Sequence, residues 1–190
     1  MLSACGFTIS GPDRPTCSSD NAANGSQLST LDPEGIACIR EFHEARFDMS
    51  HGTIDKTTLS LPVDGDAPDI SSDDGLIDLE ILGPQGTLTT STDRIRFFTT
   101  DTQPDIDRIT YFLVAETPDE FFKALRDGSD EYGFDRASVE EWITDVSSEQ
   151  DAISDYSLQP GTLLGMNVNY DLRYDANAEA QVVIVDVYPL

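Results

Sequence analysis

The sequence predicts an α+β fold: a mainly antiparallel sheet of about six strands covered by about three helices. Three observations carry this. Strand-like and helix-like segments are segregated along the chain, in the order helix, four strands, two helices, two strands, which is the order of α+β rather than of alternating βαβ proteins. The strand-like runs TTLSLPV, LIDLEIL, RIRFFTT and RITYFLVA are rich in β-branched or aromatic residues and are divided by Gly, Pro and Asp. Two helical segments, opening at Asp32 and at Thr117, carry their own start signals.

The first helix opens at Asp32-Pro33-Glu34, with Asp32 as the cap and Pro33 in the first turn. Ile36, Ile39 and Phe42 follow at helical spacing, and the pattern extends to about Arg46. In LIDLEIL, Ile77, Leu79 and Ile81 alternate with Asp78 and Glu80, so one face is buried and one is wet. Tyr111-Phe112-Leu113-Val114 is apolar on both faces, which suits a central strand. Thr117-Pro118-Asp119-Glu120 forms a capping box, Glu120 standing three residues after Thr117. Its helix turns Phe121, Phe122 and Leu125 inward. A second helix runs from about Arg136, with Val139, Trp142, Ile143 and Val146 on one stripe. At the C-terminus, Leu164, Met166, Val168, Tyr170, Leu172 and Tyr174 alternate with Gly165, Asn167, Asn169, Asp171 and Arg173 and predict a half-exposed strand. Gln181 to Tyr188 is almost continuously apolar and predicts a deep one.

Length and composition set the organisation. With 190 residues, 38% of them hydrophobic, the chain can bury one substantial core and has little room for a second. The expected division is a flexible polar tether over residues 1–30 and a single α+β domain over 31–190. From Gly6 to Thr30 the sequence is crowded with Gly, Pro, Ser, Thr and Asn and lacks the apolar residues of a core. No apolar run reaches the roughly 20 residues of a membrane-spanning helix.

Thirty-six Asp and Glu against eleven Lys and Arg give a formal charge of −25. That charge repels phosphate backbones and anionic headgroups, so direct nucleic-acid binding is not expected. It is compatible with a solvated surface, with docking on a basic protein surface, or with an acidic decoy that occupies such a surface. The predominance of Asp and Arg fits a GC-rich genome or a salty habitat.

Leu2-Ser3-Ala4-Cys5 resembles the lipobox of bacterial lipoproteins, in which small residues precede a cysteine that is lipidated and becomes the mature N-terminus. The resemblance implies lipid on Cys5, a place outside the cytoplasm on a bacterial membrane, and a signal stretch upstream of Met1, since only four residues precede Cys5. The polar segment that follows suits a tether between anchor and domain. With Cys5 assigned to lipid, Cys17 and Cys38 remain as an even pair in an oxidising compartment and are expected to form a disulfide. No Cys-x-x-Cys spacing supports zinc or dithiol redox chemistry.

The candidate chemical sites are sparse. His43 and His51 are the two histidines, both within REFHEARFDMSH. If the first helix ran through that segment, Glu44, Asp48 and His51 would share a face able to hold a divalent metal. A secreted hydrolase or metal-dependent enzyme would have to use His43 or His51, yet no Gly-x-Ser-x-Gly elbow accompanies them, and Ser50 is only a sequence neighbour of His51. Gly-rich phosphate loops are absent. Asp64, Asp66, Asp69, Asp73 and Asp74 crowd one stretch that could offer oxygen ligands to calcium, but Pro68 and Asp69 stand where an EF-hand needs a ligand and a glycine. A solvated acidic loop is the simpler reading of the run. The function expected from the sequence is that of a lipid-anchored extracytoplasmic binding or interaction domain.

Overall fold

The computed structural model describes residues 27–99, 105–149 and 151–190. It is an α+β arrangement with a large, mostly antiparallel sheet. Among the described residues the α-helices are α1 (Pro33–Phe42), α2 (Pro118–Tyr132) and α3 (Arg136–Ser148). The strands are β1 (Glu44–Asp48), β2 (Ile54–Asp55), β3 (Ile70–Ser71), β4 (Ile77–Gly83), β5 (Gly86–Thr92), β6 (Arg94–Phe98), β7 (Asp105–Ile106), β8 (Arg108–Ala115), β9 (Ile153–Ser157), β10 (Gly161–Leu163), β11 (Met166–Asp175) and β12 (Gln181–Pro189).

The seven-stranded sheet runs β10-β11-β12-β8-β6-β3, with β9 also paired to β11. A three-stranded sheet, β1-β4-β5, joins β1 and β4 in parallel, and β2 pairs with β7. Phe97 on the large sheet meets Phe47 on the small one edge to face at 4.9 Å. Tyr170 and Tyr174 on that same face of the large sheet pack against Tyr132 and Phe121 of α2, the first pair edge to face and the second tilted. Helices and small sheet therefore cover one face between them, and buried side chains from Leu31 to Val187 form one cluster there. Trp142 is buried within it, its indole N–H donating to Ser154 Oγ at 3.1 Å.

Local chemistry explains the element ends. Asp32 accepts from the Gly35 N–H at 2.8 Å, and Thr117 accepts from the Glu120 N–H while Glu120 reaches back to the Glu116 N–H, so both predicted caps are formed. At Gly161 the chain of β10 passes so close to the end of α2 that a Cβ would lie 2.1 Å from the Tyr132 carbonyl oxygen.

Three expectations are corrected. The first helix ends at Phe42 and does not reach Arg46, because His43 takes the left-handed conformation (φ 55°) and Ala45, Phe47 and Met49 then bury at period two, which is a strand. TTLSLPV is no strand: Lys56–Leu59 is a single 3-10 turn capped by Asp55. Leu164 and Gly165 are not strand residues but a two-residue hairpin turn with positive φ at both positions, so the strand starts at Met166. β8 is central, as its doubly apolar run suggests, and so is β12; among the described residues both are covered on one side only.

Of the expected tether, residues 27–30 belong to the folded part, where Ser29 exchanges hydrogen bonds with the backbone of Arg46. Residues 1–26, Cys5 and Cys17 included, lie outside the described residues. No helix among the described residues is long and apolar enough to cross a membrane.

Candidate interaction surface

Period two fixes what the second face of the large sheet displays. In β6, Ile95 and Phe97 turn to the core, so Arg94, Arg96 and Phe98 turn away from it. Register carries the same face across the sheet: Arg96 stands opposite Thr110, Thr110 opposite Asp186, and Asp186 opposite Asn169. One row further along, Phe112 is opposite Ile184 and Ile184 opposite Asp171; in the next, Val114 is opposite Val182 and Val182 opposite Arg173. The surface thus has an apolar centre on β8 and β12 with polar flanks on β6 and β11.

Its apolar groups are solvent-accessible. Phe98 is 49% exposed and Val114 51%, while Phe112, Val182 and Ile184 are half-buried by their neighbours within the sheet. Guanidinium groups lie over the rings: Arg108 is 4.1 Å from the Phe98 centroid, and Arg96 and Arg94 are 5.2 and 5.6 Å from that of Phe112. Such stacking keeps the arginines extended over the sheet and leaves guanidinium edges for hydrogen bonds. Arg96 also meets Asp69 at 2.7 Å, Arg173 meets Asp155 at 3.7 Å, and Arg108 meets Asp186 at 3.3 Å. Asp186 is itself buried and takes a second hydrogen bond from the Thr110 hydroxyl, which satisfies a carboxylate that would be costly to leave unpaired. Four of the chain's eleven cationic side chains, Arg94, Arg96, Arg108 and Arg173, therefore share one face of an acidic molecule.

The histidines occupy other surfaces. His43 Nε2 is 3.4 Å from Asp74 Oδ1, and the imidazole packs against Gly75, where a Cβ would come within 3.1 Å of it. His51 Nδ1 is 2.9 Å from Ser50 Oγ, and Asp48 accepts from the Ser50 N–H at 2.8 Å. Hydrogen bonds from Ser50 hold the Asp48 carboxyl below its ordinary pKa. In an acyl-transfer triad the carboxylate orients the imidazole and the serine hydroxyl is left to attack. Here the carboxylate engages the serine, in an arrangement that caps a turn. Since β1 replaces the expected helix, Glu44, Asp48 and His51 do not share a helical face.

The aspartates of the acidic stretch are dispersed. Asp69 belongs to Arg96 and Asp74 to His43 and Ser72, while Asp64, Asp66 and Asp73 are exposed. No group of three or more Asp, Glu, His or Cys side chains among the described residues is placed to hold a metal ion. A cavity of about 520 Å³ lies beside α1 and β1, with Gln27, Cys38, Arg46 and Glu80 in its walls. Cys5 and Cys17, and with them the expected lipidation and the expected Cys17–Cys38 disulfide, lie outside the described residues.

No protein-family model matches the chain, and neither does any curated protein or solved structure. What the sheet can do follows from its own chemistry. The sequence holds one signal for this surface: runs on β8 and β12 apolar on both faces, of which only one is covered among the described residues.

Proposed function

We propose that the chain is a lipid-anchored, extracytoplasmic binding domain that engages its partner through the open face of the large sheet. One observation carries the binding role: β8 and β12, the central strands, place Phe112, Val114, Val182 and Ile184 on a face that nothing covers among the described residues. Contiguous apolar surface in a soluble molecule marks interaction sites. The flanking arginines add directional hydrogen bonding, and Arg and aromatic residues are the groups that dominate interface energetics.

The anchor rests on Leu2-Ser3-Ala4-Cys5 and on the polar run to Ser26, which suits a tether that lets the sheet face a partner away from the bilayer. Two or three acyl chains on Cys5 would supply stable attachment where one gives only marginal binding. Expressed with its upstream coding region, the protein is expected in the membrane fraction, and Cys5→Ala is expected to release it. Equal membrane recovery of the variant would contradict the anchored reading.

A further inference from the structure

We infer that the occupant of the open sheet face is a second copy of this chain, docked face to face; the inference rests on the reading of that face as the interaction surface. The first argument is charge. At −25, most approaches between two copies are repulsive. The open face differs: its Asp69, Asp155 and Asp186 each meet an arginine at 2.7, 3.7 and 3.3 Å, and Arg94 stands as a fourth cation to balance Asp171, which takes hydrogen bonds from Ser157 and Asn169. Both signs alternate over the patch, so a copy related by a two-fold axis presents a balanced surface in return. A strongly basic partner would instead find its complement on the acidic remainder of the molecule.

The second argument is shape and area. Five strands, β6, β8, β12, β11 and β9, at about 4.8 Å spacing and roughly 25 Å long, offer a flat footprint on the order of 500 Å². Side-chain relief brings this toward the roughly 800 Å² per partner of a stable interface. The third argument is composition. Two sheets pack about 10 Å apart by interdigitating apolar side chains, and such a layer would supply the second cover that the doubly apolar strands β8 and β12 call for.

The test is sedimentation equilibrium of the unlipidated full chain in high salt, from micromolar to hundreds of micromolar. A reversible dimer is expected. Val114→Asp and Arg94→Glu, both at exposed positions, are each expected to weaken it at least tenfold with unchanged far-ultraviolet circular dichroism, whereas Lys123→Glu on α2 leaves it intact. A monomer at every concentration would overturn the pairing, as would a dimer indifferent to both variants. Crosslinks from this face to another polypeptide, with the purified chain monomeric, would also overturn self-docking while sparing the binding role. Release of Cys5→Ala from membranes reports on anchoring alone, so the two readings fail separately.

Discussion

Thr92 shows how one side chain shapes the interaction surface from beneath it. Its buried hydroxyl accepts the N–H of Arg94 at 3.2 Å and of Phe112 at 3.1 Å, and its own proton goes to the carbonyl of Phe112 or Arg94, 2.8 and 2.9 Å away. That one group pins the bend between β5 and β6 to β8, and so sets Arg94 over the Phe112 ring. Thr92→Val keeps the volume and removes the partner of two backbone donors, so it is expected to cost about 1 to 3 kcal/mol in urea unfolding. An unchanged midpoint would show that the bend is held by other means. The core tyrosines are of a different kind. Burial raises the hydroxyl pKa of Tyr111, Tyr132 and Tyr170 above the ordinary value, so they stay protonated and serve packing. A bridging hydroxyl such as that of Thr92 cannot be recognised in a Thr-rich sequence, because the strand it bridges to, at Phe112, lies twenty residues away.

At the scale of elements, legibility followed the strength of local signals. α2 and α3 were readable from the capping box at Thr117 and the Val139, Trp142, Ile143, Val146 stripe, because caps and helical period are local. Both helices are held together by a paired Arg126–Glu140 contact, with N–O distances of 2.7 and 2.9 Å, whose partners no spacing rule connects. β5 is not legible in the sequence because GTLTTST buries only Leu88 and Thr92 and has no apolar alternation. β1 was hidden by the preceding helix: Ala45, Phe47 and Met49 extend an apolar pattern that changes period at His43, where a left-handed residue leaves no trace in composition. β9 is exposed along most of its length and has the character of an edge strand. For α3, Trp142 gives the direct check. It is 7% exposed and packs with Phe121, Phe122, Tyr156 and Tyr174. Trp142→Ala is expected to cost about 3 to 5 kcal/mol, read from thermal or urea unfolding. Native emission at the wavelength of water-exposed indole would contradict the burial.

For the whole molecule, the decisive feature is an asymmetry. One face of the large sheet carries α2, α3 and the small sheet, and the other carries an apolar centre rimmed by arginines in a chain of charge −25. The sequence exposes half of this: the doubly apolar runs on β8 and β12 announce two faces in need of cover. It conceals the other half, since the grouping of Arg94, Arg96, Arg108 and Arg173 depends on the register of four strands spread from Arg94 to Pro189. The histidines and the acidic loop, which stand out in composition, form no common site: His43 meets Asp74, His51 meets Ser50, and Asp69 meets Arg96 at the rim of the open face. The central claim is that the open sheet face is where this protein meets its partner. Site-specific photo-crosslinking in cells that produce the full protein tests it most directly, with the crosslinker at Val114 on the open face or at Lys123 on the exposed side of α2. The account predicts a discrete adduct from Val114 and none from Lys123; an adduct from Lys123 with none from Val114 would contradict it.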